Sequence, residues 1–134
     1  MNIMSSDEQY SIPLGGSATW KVLCSTIQYH LLSKAERIPH VIKFLKSNHI
    51  SSDECLETAK EFNLVRDYLS QISPDRIVYD DSDPSLLPPW GKNISPVITS
   101  CANYLTTGDG DDLLAEIVKI LTYAAYAKVS VDVE

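Results

Sequence analysis

The chain has 134 residues, 44% of them hydrophobic, which is enough for the core of one domain over residues 1–134. Its formal net charge of −7 excludes a general nucleic-acid binder, because neutralising phosphates requires a surplus of lysine and arginine. No apolar stretch reaches the ~20 residues that span a bilayer, and the N-terminus lacks the basic and apolar blocks of a signal peptide, so we expect a cytosolic protein.

The N-terminal part is predicted to contain a short strand followed by a helix. Residues 9–16, QYSIPLGG, have the composition of a strand that ends at Pro13 and the two glycines. Ser17 or Thr19 can cap the next helix, in which apolar residues recur at spacings of three and four up to about Ser33. One face of this helix is therefore expected to be buried.

Two further helices are predicted before residue 73. Pro39 suits the first turn of a short helix. Ser51 and Glu54 then have the spacing of a capping box, in which each side chain satisfies a backbone N–H at a helix start. Apolar residues continue on one face of this second helix down to Ser70, so we expect a long, half-buried helix.

A strand, a proline-rich linker and another helix are predicted next. Residues 76–80, RIVYD, carry β-branched and aromatic side chains that favour a short strand. After the linker, Ser95 is a good N-cap and Pro96 a good first helical residue. A helix is therefore expected to run to about Leu105.

The C-terminal part is predicted to be a helix followed by a strand. Thr107 or Asp109 can cap the helix, and Asp111 and Asp112 lie in its first turn, where the helix dipole favours negative charge. Residues 128–134 alternate valine with polar residues, which is typical of a half-buried strand. The whole pattern predicts an α+β fold with about five helical segments packed on a small sheet of two to four strands.

The sequence contains no motif for catalysis, a cofactor or a metal ion. Its three histidines are nine or ten residues apart, so no two have the spacing of a metal site on one helix. A calcium loop that starts at Asp109 fails, because its fifth and twelfth positions are Leu113 and Ile120. The three cysteines form no CxxC pair and are expected to be free thiols. We therefore predict no catalytic residue, no cofactor and no metal.

Negative charge is concentrated in the second half of the chain. Residues 1–74 hold eight acids and seven bases, whereas residues 75–134 hold ten acids and four bases, a net charge of −6. Such asymmetry concerns solubility and the attraction of partners rather than the fold.

The linker YDDSDPSLLPPWGKNIS, residues 79–95, combines aspartates with prolines and a tryptophan. Prolines keep such a segment extended and stiff, so it can present Trp90 to a partner at little ordering cost. Tryptophan is also a favoured interface anchor. The alternative is that Leu86, Leu87 and Trp90 fold back to cover the core.

Several motifs together resemble the immunity protein 70 family. They are the SPD turn at residues 73–75, the PPWGKNIS segment at residues 88–95, the ITSCANYLTTGDG block at residues 98–110 and the valine-rich tail. The upstream STIQYHL, residues 25–31, fits the first helix of that family, so the resemblance covers most of the chain. It is weakest over residues 1–16.

The resemblance implies an immunity protein that binds and neutralises the C-terminal domain of a polymorphic bacterial toxin, as in contact-dependent growth inhibition. Toxins of these systems are often nucleases, and a nuclease needs a basic groove for phosphates. An inhibitor that fills this groove should present carboxylates to it. The expected partner is therefore a basic toxin domain bound one to one, with no direct contact to nucleic acid or membrane and no enzymatic activity of the immunity protein.

The candidates for toxin contact are acidic residues of the second half and two aromatic residues: Asp80, Asp81, Asp83, Trp90, Tyr104, Asp109, Asp111 and Asp132. The motif residues Trp90, Asn93 and Ser95 can instead be structural, since immunity surfaces must match divergent toxins while a shared motif holds the fold. Two other classes of function stay open. One is a small enzyme or ligand-binding domain with a pocket near Trp90, and the other is a general regulatory adaptor.

Overall fold

A four-stranded antiparallel sheet with helices against one face forms the fold in the computed structural model, which describes residues 1–134. The strands, in the spatial order β2-β1-β4-β3, are β1 (Asn2–Ser5), β2 (Ser11–Pro13), β3 (His49–Ile50) and β4 (Val131–Val133). The α-helices are α1 (Ser17–His30), α2 (Pro39–Ser47), α3 (Cys55–Leu69) and α4 (Leu113–Ala127). Three short 3-10 helices lie at Leu32–Arg37, Ser52–Glu54 and Pro74–Arg76. The predicted α+β class with a small sheet is confirmed, and none of the helices combines the length and apolar character needed to cross a membrane.

The sheet has one buried and one outward face, because side chains alternate along a strand. Ile3 of β1 lies opposite Val133 of β4, and both point into the core. Asp132, between two buried valines, points outward and pairs with His49 of the edge strand β3 at 2.7 Å. Helix α4 covers the inner face, where it contacts β1, β2 and β4.

Strands β1 and β3 are not predicted by the sequence pattern. They have four and two residues, too few to show an alternation of apolar and polar side chains. Both are ordered by pairing with β4, which lies between them and which the valine pattern does predict.

An aromatic row joins three helices in the core. Trp20 of α1 packs edge-on against Phe44 of α2, with ring centroids 5.8 Å apart, and Phe44 packs likewise against Phe62 of α3 at 6.2 Å. Edge-to-face pairs of this kind stabilise a core beyond the area that they bury. The Trp20 indole also donates to the side-chain oxygen of Asn48, which ends α2 in the left-handed conformation (φ 56°).

The N-terminus of α2 is capped by a carboxylate from another helix. Glu61 of α3, only 8% exposed, accepts the backbone N–H groups of His40 (2.7 Å) and Val41 (3.1 Å) through one oxygen. Its other oxygen pairs with the imidazole of His40 at 2.5 Å. The helix dipole favours a negative charge at a helix start, so the carboxylate of Glu61 stabilises the N-terminus of α2.

The predicted strand at residues 76–80 does not form. Val78 hydrogen-bonds to a side chain instead of a neighbouring strand: its N–H donates to Thr26 Oγ1 (3.0 Å), and the Thr26 hydroxyl lies 3.3 Å from its carbonyl oxygen. The backbone groups that a strand would pair are therefore already satisfied by helix α1.

The predicted helix at residues 96–105 is also wrong, since this stretch forms successive turns. The side-chain oxygen of Asn103 accepts the N–H groups of Thr99 (3.0 Å) and Ser100 (3.1 Å), and its amide donates to the carbonyl of Val97 (3.2 Å). Asparagine thus offers the backbone a local alternative to helical pairing.

Helix α4 begins later than the predicted caps. Neither Thr107 nor Asp109 caps it; the N-cap is Asp112, whose carboxylate accepts the N–H of Ala115 at 3.2 Å. Asp111 and Asp112 therefore do not lie in the first turn as predicted: Asp112 caps the helix, Asp111 precedes it, and Glu116 is the acidic residue of the first turn.

The caps predicted for α1 and α3 are likewise wrong. Helix α1 starts directly after Gly16, with Ser17 as its first residue and no side-chain cap. The Ser51 hydroxyl donates to the carboxylate of Glu54 (3.0 Å) and accepts no backbone N–H, because the chain first makes a 3-10 turn before α3.

All three cysteines are free. Burial raises the pKa of the Cys24 thiol to about 12 and the pKa values of Cys55 and Cys101 to about 11. The three thiols therefore stay protonated at neutral pH and act as small apolar groups.

Replacing Glu61 by glutamine should lower the free energy of unfolding by about 1–3 kcal/mol, because the buried cap loses its negative charge and a neutral amide oxygen accepts backbone N–H groups more weakly than a carboxylate does. Urea denaturation of the two proteins measures this difference. The matched control is Glu57→Gln on the same helix, where the carboxylate is exposed and pairs only with Lys60. Equal stability of Glu61→Gln and the control would contradict this role.

Candidate functional site

The segment between the last 3-10 helix and α4, residues 77–112, contains no helix and no strand, and we call it the long loop. One isolated bridge, between Thr106 and Asp112, is its only regular pairing. Loops beyond about 12–15 residues are uncommon inside a compact fold and usually serve a function. The length of the long loop therefore indicates that it contains a binding site.

The long loop and its entry carry most of the charge of the protein. Residues 75–112 hold seven acids and two bases, a net charge of −5 out of −7 for the chain. The same segment holds four large apolar side chains that are widely exposed, namely Leu86, Leu87, Trp90 and Val97. Exposed apolar side chains beside charges of one sign are typical of a binding surface.

The long loop is fastened to the helical layer near both of its ends. Thr26 of α1 holds Val78 as described above, and both residues are buried. Farther along, the N–H of Cys101 donates to the carbonyl of Ile72 just after α3, at 2.9 Å. The Cys101 thiol adds a contact of 3.3 Å to the carbonyl of Ser73.

The long loop also closes the edge of the sheet. Gly108 donates its N–H to the carbonyl of Pro13 on edge strand β2, at 2.7 Å. A Cβ at Gly108 would lie 3.3 Å from Cβ of Pro13, so glycine suits this close approach. Since Pro13 has no N–H to offer, this contact leaves few free groups for another strand to pair with.

Two consecutive Asp-x-Ser turns shape the acidic part of the long loop. Asp80 accepts the N–H (3.0 Å) and the hydroxyl (2.7 Å) of Ser82, and Asp83 does the same for Ser85 (3.3 and 2.6 Å). The hydroxyl and then the N–H of Ser82 hold the pKa of Asp80 below its usual range. Asp81, between these turns, is exposed and makes no hydrogen bond, so its charge is free for a partner.

Trp90 and Tyr104, both candidates, are brought together by the fold. The indole N–H of Trp90 donates to the Tyr104 hydroxyl at 2.7 Å, and the ring centroids lie 6.5 Å apart. Trp90 is 43% exposed, whereas Tyr104 is 8% exposed. The buried Tyr104 thus holds the indole of Trp90 against the protein. The other face of the Trp90 ring is exposed to solvent.

Tyr104 separates two surface clefts. The first lies beside Trp90 and is lined by Thr19, Trp90, Asn93, Ile98, Tyr104, Leu105 and Thr106. None of these side chains is charged, so the cleft offers apolar contact and a few hydrogen bonds. The second cleft lies toward the start of the long loop and is lined mainly by prolines, leucines and isoleucines.

The remaining candidates lie apart from this centre. Asp109 and Asp111 are exposed in a turn in which Thr107 Oγ1 accepts both of their N–H groups at 3.2 Å. Asp132 lies on the outward face of the sheet and is paired with His49. It therefore belongs to a different element from the long loop.

Sequence reasoning missed the role of Leu86, Leu87 and Lys92 as parts of a cleft. It considered the leucines only as a possible cover for the core, one of two alternatives, yet they are 47% and 56% exposed. The available signal was their position between Pro84 and Pro88 in a charged loop, because proline fixes φ and cannot continue a helix or a central strand.

A model of the immunity protein 70 family matches residues 6–133. No curated protein and no solved structure shows a match. The match spans strands β2, β3 and β4, all four helices and the whole long loop, and it begins just after β1 (Asn2–Ser5).

Replacing Tyr104 by phenylalanine should free the Trp90 indole from its acceptor and cost about 0.5–1.5 kcal/mol of stability. Acrylamide quenching of tryptophan fluorescence should rise, because Trp20 is buried and Trp90 dominates the accessible signal. Tyr126→Phe is the control, since Tyr126 is 90% exposed and its hydroxyl makes no hydrogen bond. Unchanged quenching in Tyr104→Phe would show that the contact does not hold Trp90.

Proposed function

The chain belongs to the immunity protein 70 family, and on that premise we propose that it neutralises its toxin by stoichiometric, non-catalytic binding in the cytosol. Membership of the family makes it an immunity protein against a toxin protein. The proposal adds that the toxin belongs to a contact-dependent growth inhibition system, that its C-terminal domain is a basic nuclease, most simply an RNase, and that one copy of each protein forms the complex.

The observation that carries this proposal is the coincidence of charge and exposed apolar surface on the long loop. A nuclease domain must attract phosphates, so its active-site groove is positively charged. Seven acids against two bases over residues 75–112 offer the complementary field. Occlusion of the substrate groove by this surface would stop cleavage without any chemistry on the part of the inhibitor.

Long-range attraction also fits the task of an immunity protein. A charged surface raises the association rate toward an oppositely charged partner, and this effect weakens as salt is added. A toxin that enters the cell must be captured before it cuts many substrates. Protection of the producing cell therefore depends on the association rate as well as on the affinity.

The candidates take different parts in this surface. Asp81, Asp109 and Asp111 have carboxylates without internal partners, so we assign them direct contact with basic groups of the toxin. Asp80 and Asp83 spend part of their hydrogen-bonding capacity on Ser82 and Ser85 and mainly shape the loop. Trp90 is the aromatic anchor with Tyr104 behind it, and Asp132 lies outside the proposed contact.

Co-expression tests the function itself. The C-terminal domain of the toxin encoded beside this protein should arrest growth when expressed alone and should be harmless when this protein is present. The two chains should also co-purify in a one-to-one ratio by analytical ultracentrifugation. If cells die in the presence of this protein and no complex is found, the proposal fails.

Charge reversal tests the proposed surface. The variant Asp81→Lys with Asp109→Lys should associate with the toxin domain about tenfold more slowly at low salt, with a flatter salt dependence. Stopped-flow fluorescence at several salt concentrations measures both quantities. The control Asp53→Lys with Asp67→Lys makes the same change in net charge at two exposed carboxylates outside the long loop, neither of which forms an ion pair. Equal rates for the variant and the control would remove the long loop from the interface.

A further inference from the structure

The second cleft of the long loop is unusual in its lining. Its walls are Pro84, Leu86, Leu87, Pro88, Ile94 and Tyr104, and we call it the leucine cleft. Leu86 and Leu87 are 47% and 56% exposed, so they leave apolar surface in water beside a ready-made depression. Removing such surface from water is favourable, and a partner that fills the cleft would gain this contribution.

Two backbone hydrogen bonds shape the part of the long loop that forms the leucine cleft. The N–H of Leu86 donates to the carbonyl of Asp83 (3.1 Å), and the N–H of Gly91 donates to the carbonyl of Pro88 (2.9 Å). Gly91 has φ 79°, a conformation that suits glycine, so the second turn is set by the sequence. A partner therefore meets leucines that are already in place and loses little in ordering them.

Charge around the leucine cleft limits what can enter it. Asp75 lines the cleft, and Asp81 and Asp83 precede it along the chain. One base, Lys92, lines the cleft as well, and its ammonium group has no ion-pair partner within the protein. An apolar side chain with lysine or arginine beside it would meet apolar walls within a segment, residues 75–112, whose net charge is −5.

We infer that the leucine cleft receives an apolar side chain of the toxin, presented by a segment in which lysine or arginine flanks it. This inference rests on the proposed function and adds to it the contact that provides affinity. The acidic residues then govern the rate of encounter, whereas the leucine cleft governs how long the complex lasts. Such a division is common, since apolar anchors in pockets dominate the binding energy and rim charges dominate association.

The first arm of the test removes an apolar wall. Leu87→Ser should weaken binding of the purified toxin domain about 10- to 100-fold, mainly through faster dissociation, as measured by surface plasmon resonance. Leu32→Ser is the matched control, because Leu32 is a 66% exposed leucine on a 3-10 helix outside the long loop. Thermal unfolding of both variants checks that the fold is kept.

The second arm of the test predicts an increase in the association rate, which a misfolded variant could not show. Lys92→Glu removes the one base of the leucine cleft and should speed association roughly threefold at low salt, with the advantage lost at high salt. Slower or unchanged association would overturn the basic character of the entering segment. If wild-type protein binds and Leu87→Ser binds as tightly as Leu32→Ser, the inference fails while the proposed function stands. If wild-type protein itself does not bind the toxin, the proposed function fails first.

Discussion

The long loop depends on hydrogen bonds from individual side chains, because its backbone has no ladder or helix in which to pair. The Thr26 side chain hydrogen-bonds to the backbone of Val78, and the Asn103 side chain accepts backbone N–H groups of the turn that precedes it. The Thr107 side chain does the same for the turn that leads into α4. Buried or half-buried backbone groups without partners would cost more than an irregular segment could recover by packing. These few polar side chains therefore determine whether the surface proposed to meet the toxin exists at all.

Hydrogen bonds from single side chains also connect the helices and the sheet behind the loop. Glu61 joins α3 to the start of α2, and Asn48 joins the end of α2 to Trp20. The carbonyl of Asn48 also accepts the N–H of Val133 from β4, at 2.9 Å, so the same residue links helix and sheet. A scaffold connected in this way can hold a loop of irregular shape in one conformation, which lowers the ordering cost of binding.

Residues that hold the long loop and residues that are free to contact a partner are different residues. Asn103, Tyr104 and Thr107 belong to the segments that resemble the immunity protein family, and each makes hydrogen bonds within the protein. Asp81 and Lys92 make none, and both are exposed. The residues that shape the long loop are therefore separate from these two exposed charges.

The sequence by itself determined the longer elements and the location of the charge. Helices α1, α3 and α4 follow from apolar spacing, β4 from alternating valines, and the acidic long loop from simple counting. Only the tertiary structure decided what lies between them, because Asn103 replaces a helix with turns and Thr26 replaces a strand with a side-chain contact. Local patterns report how often apolar residues recur, but they cannot report which distant side chain satisfies a backbone group. For that reason the leucine cleft and the support of Trp90 by Tyr104 emerge only from the folded chain.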